Sequence, residues 1–552
     1  MTTEPLPAPS TTLASCDALV VGGGPAGLSA AVALARSLRS VLVVDAGRPR
    51  NATAAGVHNY LGREGAAPAD LLADGRSTLT SYGGQVTPGE VTRLERLGQD
   101  PLQPWFRATL ADGRQVDARR VVVASGLTDQ LPEVPGLAER WGRDVLHCPY
   151  CHGYEARGTV IGVLSTTPMT AHQALLFRQL SDDVTVLTHT GPALGADDRA
   201  RLEARGVRLV DGEVVEVLTT GDALSGVRLA SGEVVPVTNL AVAAPAVARS
   251  GLLADLGVEV ADFRMGDHVF GRYAVAEPTG ATSAPGVYTA GNVSTLQAQV
   301  ATSAAAGLMT GALVNGHLIE EETAYAVDER RRTAALWDER YAHHQGHGGT
   351  ANPTLVETAG ALAVGTALDL GSGLGEDARW LGRQGWRVLG VDASGVAVAQ
   401  AVAAAEQEGL GDRVRFEQHD LAGSFPAGQF DLVTTHYLHS TRGLPRTEVL
   451  RRATRAVAPG GTLLVVGHAT LPPWAWPDLD ESARDLPSPA QVWDSLGLGE
   501  GWEVSRVDVA PRAVSHGHEH GSMDDSVVVA RRVDQTSSAS PVSSRSTSSA
   551  SV

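Results

Sequence analysis

Apolar residues recur along the chain in one pattern, found three times: a short β-branched run, a turn, an Ala/Leu-rich stretch, and a second β-branched run. The copies span Ala18 to Asp45, Thr159 to His189 and Thr366 to Asp392. Short continuous apolar runs bounded by turn residues predict buried strands, and their alternation with helices predicts parallel sheets with crossover connections. The expected fold class is α/β. Ala18 to Ala35 is uncharged, but its glycines and Pro25 fit strand, loop and helix better than a membrane span. Two further strand-like runs end in small residues. One is Arg120 to Gly126; the other is Gly286 to Asn292, followed by a long Ala-rich helix. The charged stretch Thr323 to Trp337 reads as a helical linker with a solvated face. Met1 to Ser15 and the Ser/Thr-rich segment Gln535 to Val552 predict disorder, because they offer almost nothing to bury.

Composition narrows the class. The 552 residues leave room for roughly three or four domains. With 43% apolar and 19% charged residues the chain reads as soluble and globular. A formal net charge of -18 argues against a nucleic-acid backbone or an anionic membrane as partner. Every basic side chain is Arg, which excludes Schiff-base and lysine-base chemistry. The 3 cysteines make no disulfide framework, and Met1 to Ser15 has neither the basic start nor the apolar core of a signal peptide, so the expected location is cytoplasmic.

The chemistry sits in the turns. Gly22-Gly23-Gly24-Pro25-Ala26-Gly27 is G-x-G-x-x-G between a predicted strand and a predicted helix. Gly22 allows the tight turn, Gly24 lets a pyrophosphate approach, and Gly27 lets helix and strand pack closely. Asp45 closes the next strand, where a ribose hydroxyl would sit. These features predict a dinucleotide site without deciding between FAD and NAD. His147-Cys148-Pro149-Tyr150-Cys151-His152 holds a Cys-x-x-Cys pair flanked by histidines. Such a pair can bind zinc, pack inertly, or exchange disulfides. Zinc needs about four ligands, and Cys16 is a poor third, so a metal site is disfavoured and the other readings stay open.

From about Asp17 to Ile319 these motifs resemble the low-molecular-weight thioredoxin reductases. The resemblance implies FAD, held by Gly22, Gly24, Pro25, Ala26, Gly27 and Asp45. It adds Asn59 in the segment His58 to Gly62, Val91 at the adenine, and Gly126, Gly291, Asn292 and Gln299 on the flavin side. Asn292 stands where the family usually has Asp. The implied layout is a FAD domain in two halves, 16–127 and 245–319. A NAD(P)-type domain, 128–244, lies between them and carries the cysteines, and the flavoprotein half would form a homodimer. By the same resemblance Cys151 faces the flavin and Cys148 exchanges with the substrate sulfur. His152 replaces the family's usual Asp after the second cysteine and would move the thiol proton. The inserted domain departs from the family's NADPH site. Ser165-Thr166-Thr167-Pro168-Met169 has no glycine, and Thr188-His189-Thr190 has no arginine for a 2′-phosphate. Cys-x-x-Cys-His-Gly without that site resembles the small-molecule dithiol oxidases of the gliotoxin and holomycin type. A reductase acting on a thioredoxin-like protein with NADPH is the alternative, and a flavin-binding scaffold is a third reading.

The last third resembles class I S-adenosylmethionine-dependent methyltransferases. A helical linker, 320–337, would precede that domain, 338–533, and a disordered tail, 534–552, would follow it. Asp369, Gly371, Gly373 and Gly375 form the glycine loop, Asp392 would hold the ribose, and Asp420 and Leu421 match the adenine side. Phe430-Asp431-Leu432-Val433 and Ala458-Pro459-Gly460-Gly461 match later motifs. His436, Tyr437 and His439 could face the acceptor, and Trp337 and Tyr341 could form a lid. His516, His518 and His520 read as a solvated loop before a last strand at Ser526 to Ala530. The combined expectation is a bifunctional enzyme: FAD-dependent oxidation of a small dithiol with oxygen as acceptor, and methyl transfer, to the same sulfurs or equally to an oxygen, nitrogen or carbon acceptor.

Overall fold

The computed structural model describes Leu13 and residues 15–98, 104–343, 350–439, 444–470, 486–516 and 519–533. The chain divides into two compact units, Met1–Glu322 and Thr323–Val552. Both are α/β, as the alternating pattern predicts.

In the first unit, Cys16–Val21 pairs in parallel with Val41–Asp45 on one side and Gln115–Val123 on the other. Val287–Thr289 continues the parallel set beyond Gln115–Val123. An antiparallel meander, Val91–Leu97 and Trp105–Leu110, is added at that edge. The order of the parallel strands reverses beside Cys16–Val21, and its carboxyl end is where ligands bind in such sheets. Helix Pro25–Arg36 begins there and buries Leu28, Ala31, Leu34 and Ala35 against the sheet. A second sheet, parallel throughout, has the order Arg208–Val210, Val184–Leu187, Ile161–Leu164, Asn239–Val242, Val145–Leu146. This is the inserted domain.

The second unit holds a seven-stranded sheet in the order Val414–Gln418, Arg387–Asp392, Thr366–Leu370, Phe430–His436, Val457–His468, Glu519–Arg532, Trp502–His516. Its first five strands are parallel and the last two form an antiparallel ribbon. The switch point lies between Thr366–Leu370 and Phe430–His436, with Gly371 at its mouth. One sequence expectation, the helical character of the charged stretch, holds and is extended, and one changes. The charged linker is the second part of one continuous helix, Val300–Ala342. The expected loop before Ser526 is strand as well: pairing runs from Trp502↔Arg532 through to Ser515↔His520 and His516↔Glu519. Short-range polarity masked it, because a two-stranded ribbon needs no apolar run at its tip. His518 lies outside the described residues, as do the N-terminal segment up to residue 12 and the tail from 534. Among the described residues no helix is long and apolar enough to cross a membrane.

Candidate functional site

The glycine loop of the first unit divides its labour as the spacing predicts. Gly22 has φ +107, and a Cβ there would lie 2.5 Å from the Ala124 carbonyl oxygen. A Cβ on Gly27 would lie 1.9 Å from the Gly22 carbonyl oxygen, whereas one on Gly24 would meet nothing within 4 Å. Gly22 and Gly27 are therefore packed and Gly24 faces open space. Gly24 caps helix Pro25–Arg36 with no side-chain hydrogen bond, which leaves the first N–H groups for an anion. The loop opens on a cavity of about 890 Å³. Gly22, Gly24, Pro25, Ala26, Asp45, Val91, Gly126, Asn292 and Gln299 line it, together with Cys148, Cys151 and His152. These residues fit FAD: a cradle at the diphosphate end, and a cysteine pair on the same wall.

Three of the sequence-predicted residues do not line the cavity. Gly27 packs as described. Gly291, at φ +78, would press a Cβ to 2.8 Å from that of Ala26. Asn59 sits at φ +60, and its Nδ2 donates to the carbonyl of Tyr150 at 2.6 Å. It ties the 58–62 segment to the turn between the cysteines. Asn292 donates from Nδ2 to the carbonyls of Thr295, Leu296 and Ala298 at 3.1, 3.2 and 2.8 Å. An Asp could not make these bonds, so the departure from the family residue holds the loop that leads into Gln299.

Cys148 and Cys151 are free thiols, Cys148 capping the short helical turn Pro149–His152 and Cys151 lying within it. The Cys148 thiol is drawn down to about 6, first by the hydrogen bond from the Cys151 thiol, against burial, with help from the Tyr150 and Cys151 N–H groups and from Arg50. Cys151 is pushed up, mainly by giving its proton to that bond. Cys148 is thus the thiolate and Cys151 the proton donor. His152 is lowered by burial, and its Nε2 is buried without a partner. A neutral imidazole with a free nitrogen can accept a proton.

Two parts of this site carry no sequence signal. Arg50 holds Asp129, and both line the cavity. His58 stands between Glu64, 2.7 Å from its Nδ1, and Glu155, 3.6 Å from its Nε2. Glu155 lies in the turn after the helix that ends at His152, where helical spacing gives no cue.

The inserted domain closes its own nucleotide loop. Ser165, Thr167 and Thr170 are buried, and the Ser165 and Thr170 hydroxyls bond each other at 3.1 Å. Thr166 donates to the Ala243 carbonyl at 2.6 Å and Thr170 to the Thr167 carbonyl at 2.7 Å. Gly191 lies so close that a Cβ on it would be 2.2 Å from Ser165 Oγ. After the next strand His189, at φ +43, accepts the Val214 N–H on Nδ1 at 3.1 Å.

In the second unit Gly371, Gly373 and Gly375 all have positive φ. Gly375 caps helix Glu376–Arg383 without a side-chain bond. A cavity of about 390 Å³ is lined by Gly371, Asp392, Asp420 and Leu421, and by Trp337, Tyr341, Tyr437 and His439. The side chains of Trp337 and Tyr341 stack at 6.1 Å. Gly373 and Gly375 stand behind the wall, the latter packed on Phe416. Asp392 accepts the N–H groups of Gly373 and Ser394, each at 2.9 Å, and so braces the loop. Asp369 is buried, its Oδ2 has no partner among the described residues, and its acid is raised to about 7 by burial and then by Asp377. His436 lies with Nδ1 2.9 Å from Asp377 Oδ2, on the strand beside Asp369, rather than on the cavity wall. Asp369, like Gly373 and Gly375, stands behind the cavity wall; the Gly371 turn, Asp392 and Asp420 on the wall and the uncapped helix behind it fit S-adenosylmethionine, which brings ribose hydroxyls and an adenine.

A family model described as pyridine nucleotide-disulphide oxidoreductase matches residues 16–307, and one described as a methyltransferase domain matches residues 367–461. The thioredoxin reductase tcpT of Claviceps purpurea is 31% identical over 312 residues, 55% of this chain and 95% of its own length. The thioredoxin reductase aclD of Aspergillus oryzae is 34% identical over 216 residues, 38% of this chain and 68% of its own. Among solved structures, HlmI is 42% identical with a TM-score of 0.54, over 58% of this chain and 97% of its own. An oxidoreductase from Agrobacterium tumefaciens is 34% identical with a TM-score of 0.51, over 55% and 99%.

Proposed function

The chain belongs to the pyridine nucleotide-disulphide oxidoreductase family and carries a methyltransferase domain after it; on that premise we propose that it oxidises a small dithiol to a disulfide with oxygen as acceptor, and methylates sulfur of the same class of molecule. The fusion is a thioredoxin-reductase-like flavoprotein joined to a methyltransferase, and its two parts imply FAD and S-adenosylmethionine. The observation that carries the oxidase reading is the loop 165–170. Where the family would admit a nicotinamide nucleotide, buried hydroxyls bond one another and Gly191 presses on Ser165. Electrons then enter from the thiol side.

The residues support the following sequence. The cycle starts with Cys148 and Cys151 joined as a disulfide. A substrate thiol gives its proton to His152 and attacks Cys148; the Cys148–Cys151 bond breaks and Cys151 leaves with the electron pair. The second substrate thiol gives its proton to the Cys151 thiolate and attacks the sulfur bound to Cys148; Cys148 departs as a thiolate, and the product leaves as a disulfide. The pair now holds two electrons more, and Cys148 is stabilised as a thiolate by the Cys151 thiol, two backbone N–H groups and Arg50. FAD, if held by the residues lining the same cavity, would supply the acceptor for those two electrons, and oxygen would take them up with the two protons from His152 and Cys151 as hydrogen peroxide.

Oxygen uptake by the full-length holoprotein, driven by 1,3-propanedithiol with no nicotinamide present, tests this. Uptake that Cys148→Ser abolishes is the expected result. No uptake, with NADPH-dependent disulfide reduction instead, would replace it by the reductase reading.

A further inference from the structure

The cavity of the second unit continues past the side assigned to S-adenosylmethionine, and its far wall is unlike ordinary packing. Beyond strand Phe430–His436 the chain turns at Tyr437, which holds φ +52, a strained value for a ring residue. The turn brings Tyr437, Leu438 and His439 to the cavity. Tyr437 is fixed from both sides. Its hydroxyl donates to Asp525 Oδ2 at 2.7 Å and accepts from Asn352 Nδ2 at 3.2 Å. Arg512 binds the same carboxylate at 2.8 Å and lies over the Tyr437 ring. The His468 ring stacks on Tyr437 with centroids 4.5 Å apart, and His439 stacks on His468 at 5.4 Å.

The outer ring of this stack is set as a donor. His439 Nε2 accepts the backbone N–H of His468 at 3.4 Å, so the neutral imidazole carries its proton on Nδ1. Arg446 lies near it on the Nε2 side: a Cβ on Gly467 would be 3.0 Å from Arg446 Nη2 and 3.6 Å from His439 Nε2. No carboxylate pairs with Arg446 among the described residues, and its Nε is buried without a partner. Burial, Arg446 and His468 hold His439 down to about 4. Such an imidazole is too weak a base to take a thiol proton near neutral pH, but it remains a hydrogen-bond donor. His468 is likewise lowered by burial, against Asp525. Around the stack are thus a braced Tyr437, two histidines lowered by burial, Asp525 held by Arg512, and Arg446 behind the wall; the opposite side of the cavity carries Glu329, Tyr341, Asp392 and His419, with Arg330 3.4 Å from Asp420.

We propose that this wall is the methyl-acceptor subsite and that it takes an acceptor ionised at the reacting atom, a thiolate, which the Nδ1–H of His439 holds in the field of Arg446. This rests on the sulfur-methylation reading above and specifies it. The thiol proton leaves to solvent before transfer. The thiolate lone pair forms the new bond to the methyl carbon, the sulfonium S–CH3 bond breaks, and its electron pair stays on the departing thioether. His439 touches the acceptor and is the catalytic residue; Arg446 acts through it and is a positioning residue.

The test uses full-length protein carrying Cys148→Ser, so that the first unit does not consume thiol. Methyl transfer to thiophenol is followed against pH, and thiophenolate binding to the S-adenosylhomocysteine-loaded protein is read by its absorbance. Arg446→Met is expected to raise KM for thiophenol by about tenfold and to move its acidic limb to higher pH, with KM for S-adenosylmethionine unchanged. Arg446→Lys should restore much of both. Unchanged KM, limb and thiophenolate binding in Arg446→Met overturns the subsite. Binding that depends on Arg446 without any thiol being methylated keeps the subsite and overturns the sulfur-methylation reading.

Discussion

Arg50 grips Asp129 through two hydrogen bonds, Nε to Oδ2 at 2.7 Å and Nη2 to Oδ1 at 2.6 Å, on the wall that also carries Cys148. Asp129 is almost fully buried, so the pair is a fixed bidentate fork rather than a surface contact. It sets a positive charge beside the thiolate that electron transfer needs.

Loss of that charge should raise the Cys148 pKa. Arg50→Met alone would strand a buried carboxylate at a cost of about 3–5 kcal/mol, so the informative protein is Arg50→Met with Asp129→Leu. Alkylation of Cys148 by iodoacetamide, followed against pH, should show a midpoint above the value of about 6, with Arg50→Lys closer to wild type. An unmoved midpoint would assign the thiolate to the Cys151 bond alone.

His152 is depressed by burial, so it is a neutral acceptor at neutral pH and becomes protonated only below its usual range. Dithiol turnover should therefore fall on the acid side as His152 takes up its proton. His152→Gln should slow turnover by roughly 10²–10⁴-fold and abolish that limb. Steady-state rates from pH 5 to 8 decide it; a retained limb would move the role elsewhere, with Glu155 and His58 the nearest groups.

Gly27→Ala tests the cradle. Its Cβ would fall 1.9 Å from the Gly22 carbonyl oxygen, an atom of the turn itself. The loop must shift, so the purified protein should carry little flavin per chain and lose about 1–3 kcal/mol of stability. Gly24→Ala, with open space at the same distance, should fold normally and lose flavin alone. Flavin content and thermal midpoints of the two variants separate these effects.

The methyltransferase unit should lose stability as pH rises. Asp369 is raised from 3.8 to about 7, so between those values the folded chain keeps a proton that the unfolded chain has released. Its contribution is most favourable below the unfolded pKa and is lost as pH climbs through the folded one. Across pH 4 to 7 the thermal transition that S-adenosylhomocysteine raises should fall relative to Asp369→Asn by roughly several degrees. A constant difference would mean that Asp369 ionises normally.

The parts of the fold that depend on local pattern were legible in the sequence. Each glycine loop lay between a strand and a helix, and the strands ending at Asp45, Leu187 and Asp392 form as the β-branched runs predict. Pairings between distant positions left no mark. Arg50 finds Asp129 79 residues away, and Asn59 reaches Tyr150 across 91. The ribbon ending at Glu519–Arg532 is strand because of its neighbour, and its polar tip hid it. His439 was visible as a residue after a strand, but its partner His468 ends the next strand, and only the sheet brings the rings together.

Anaerobic titration of the bound flavin in the full-length protein bears most directly on the direction of electron flow. 1,3-Propanedithiol should bleach it without nicotinamide, air should restore the colour, and NADPH should leave it yellow over the same interval. Rapid bleaching by NADPH, with none by the dithiol, would contradict the oxidase reading and restore the loop 165–170 as a working nucleotide site.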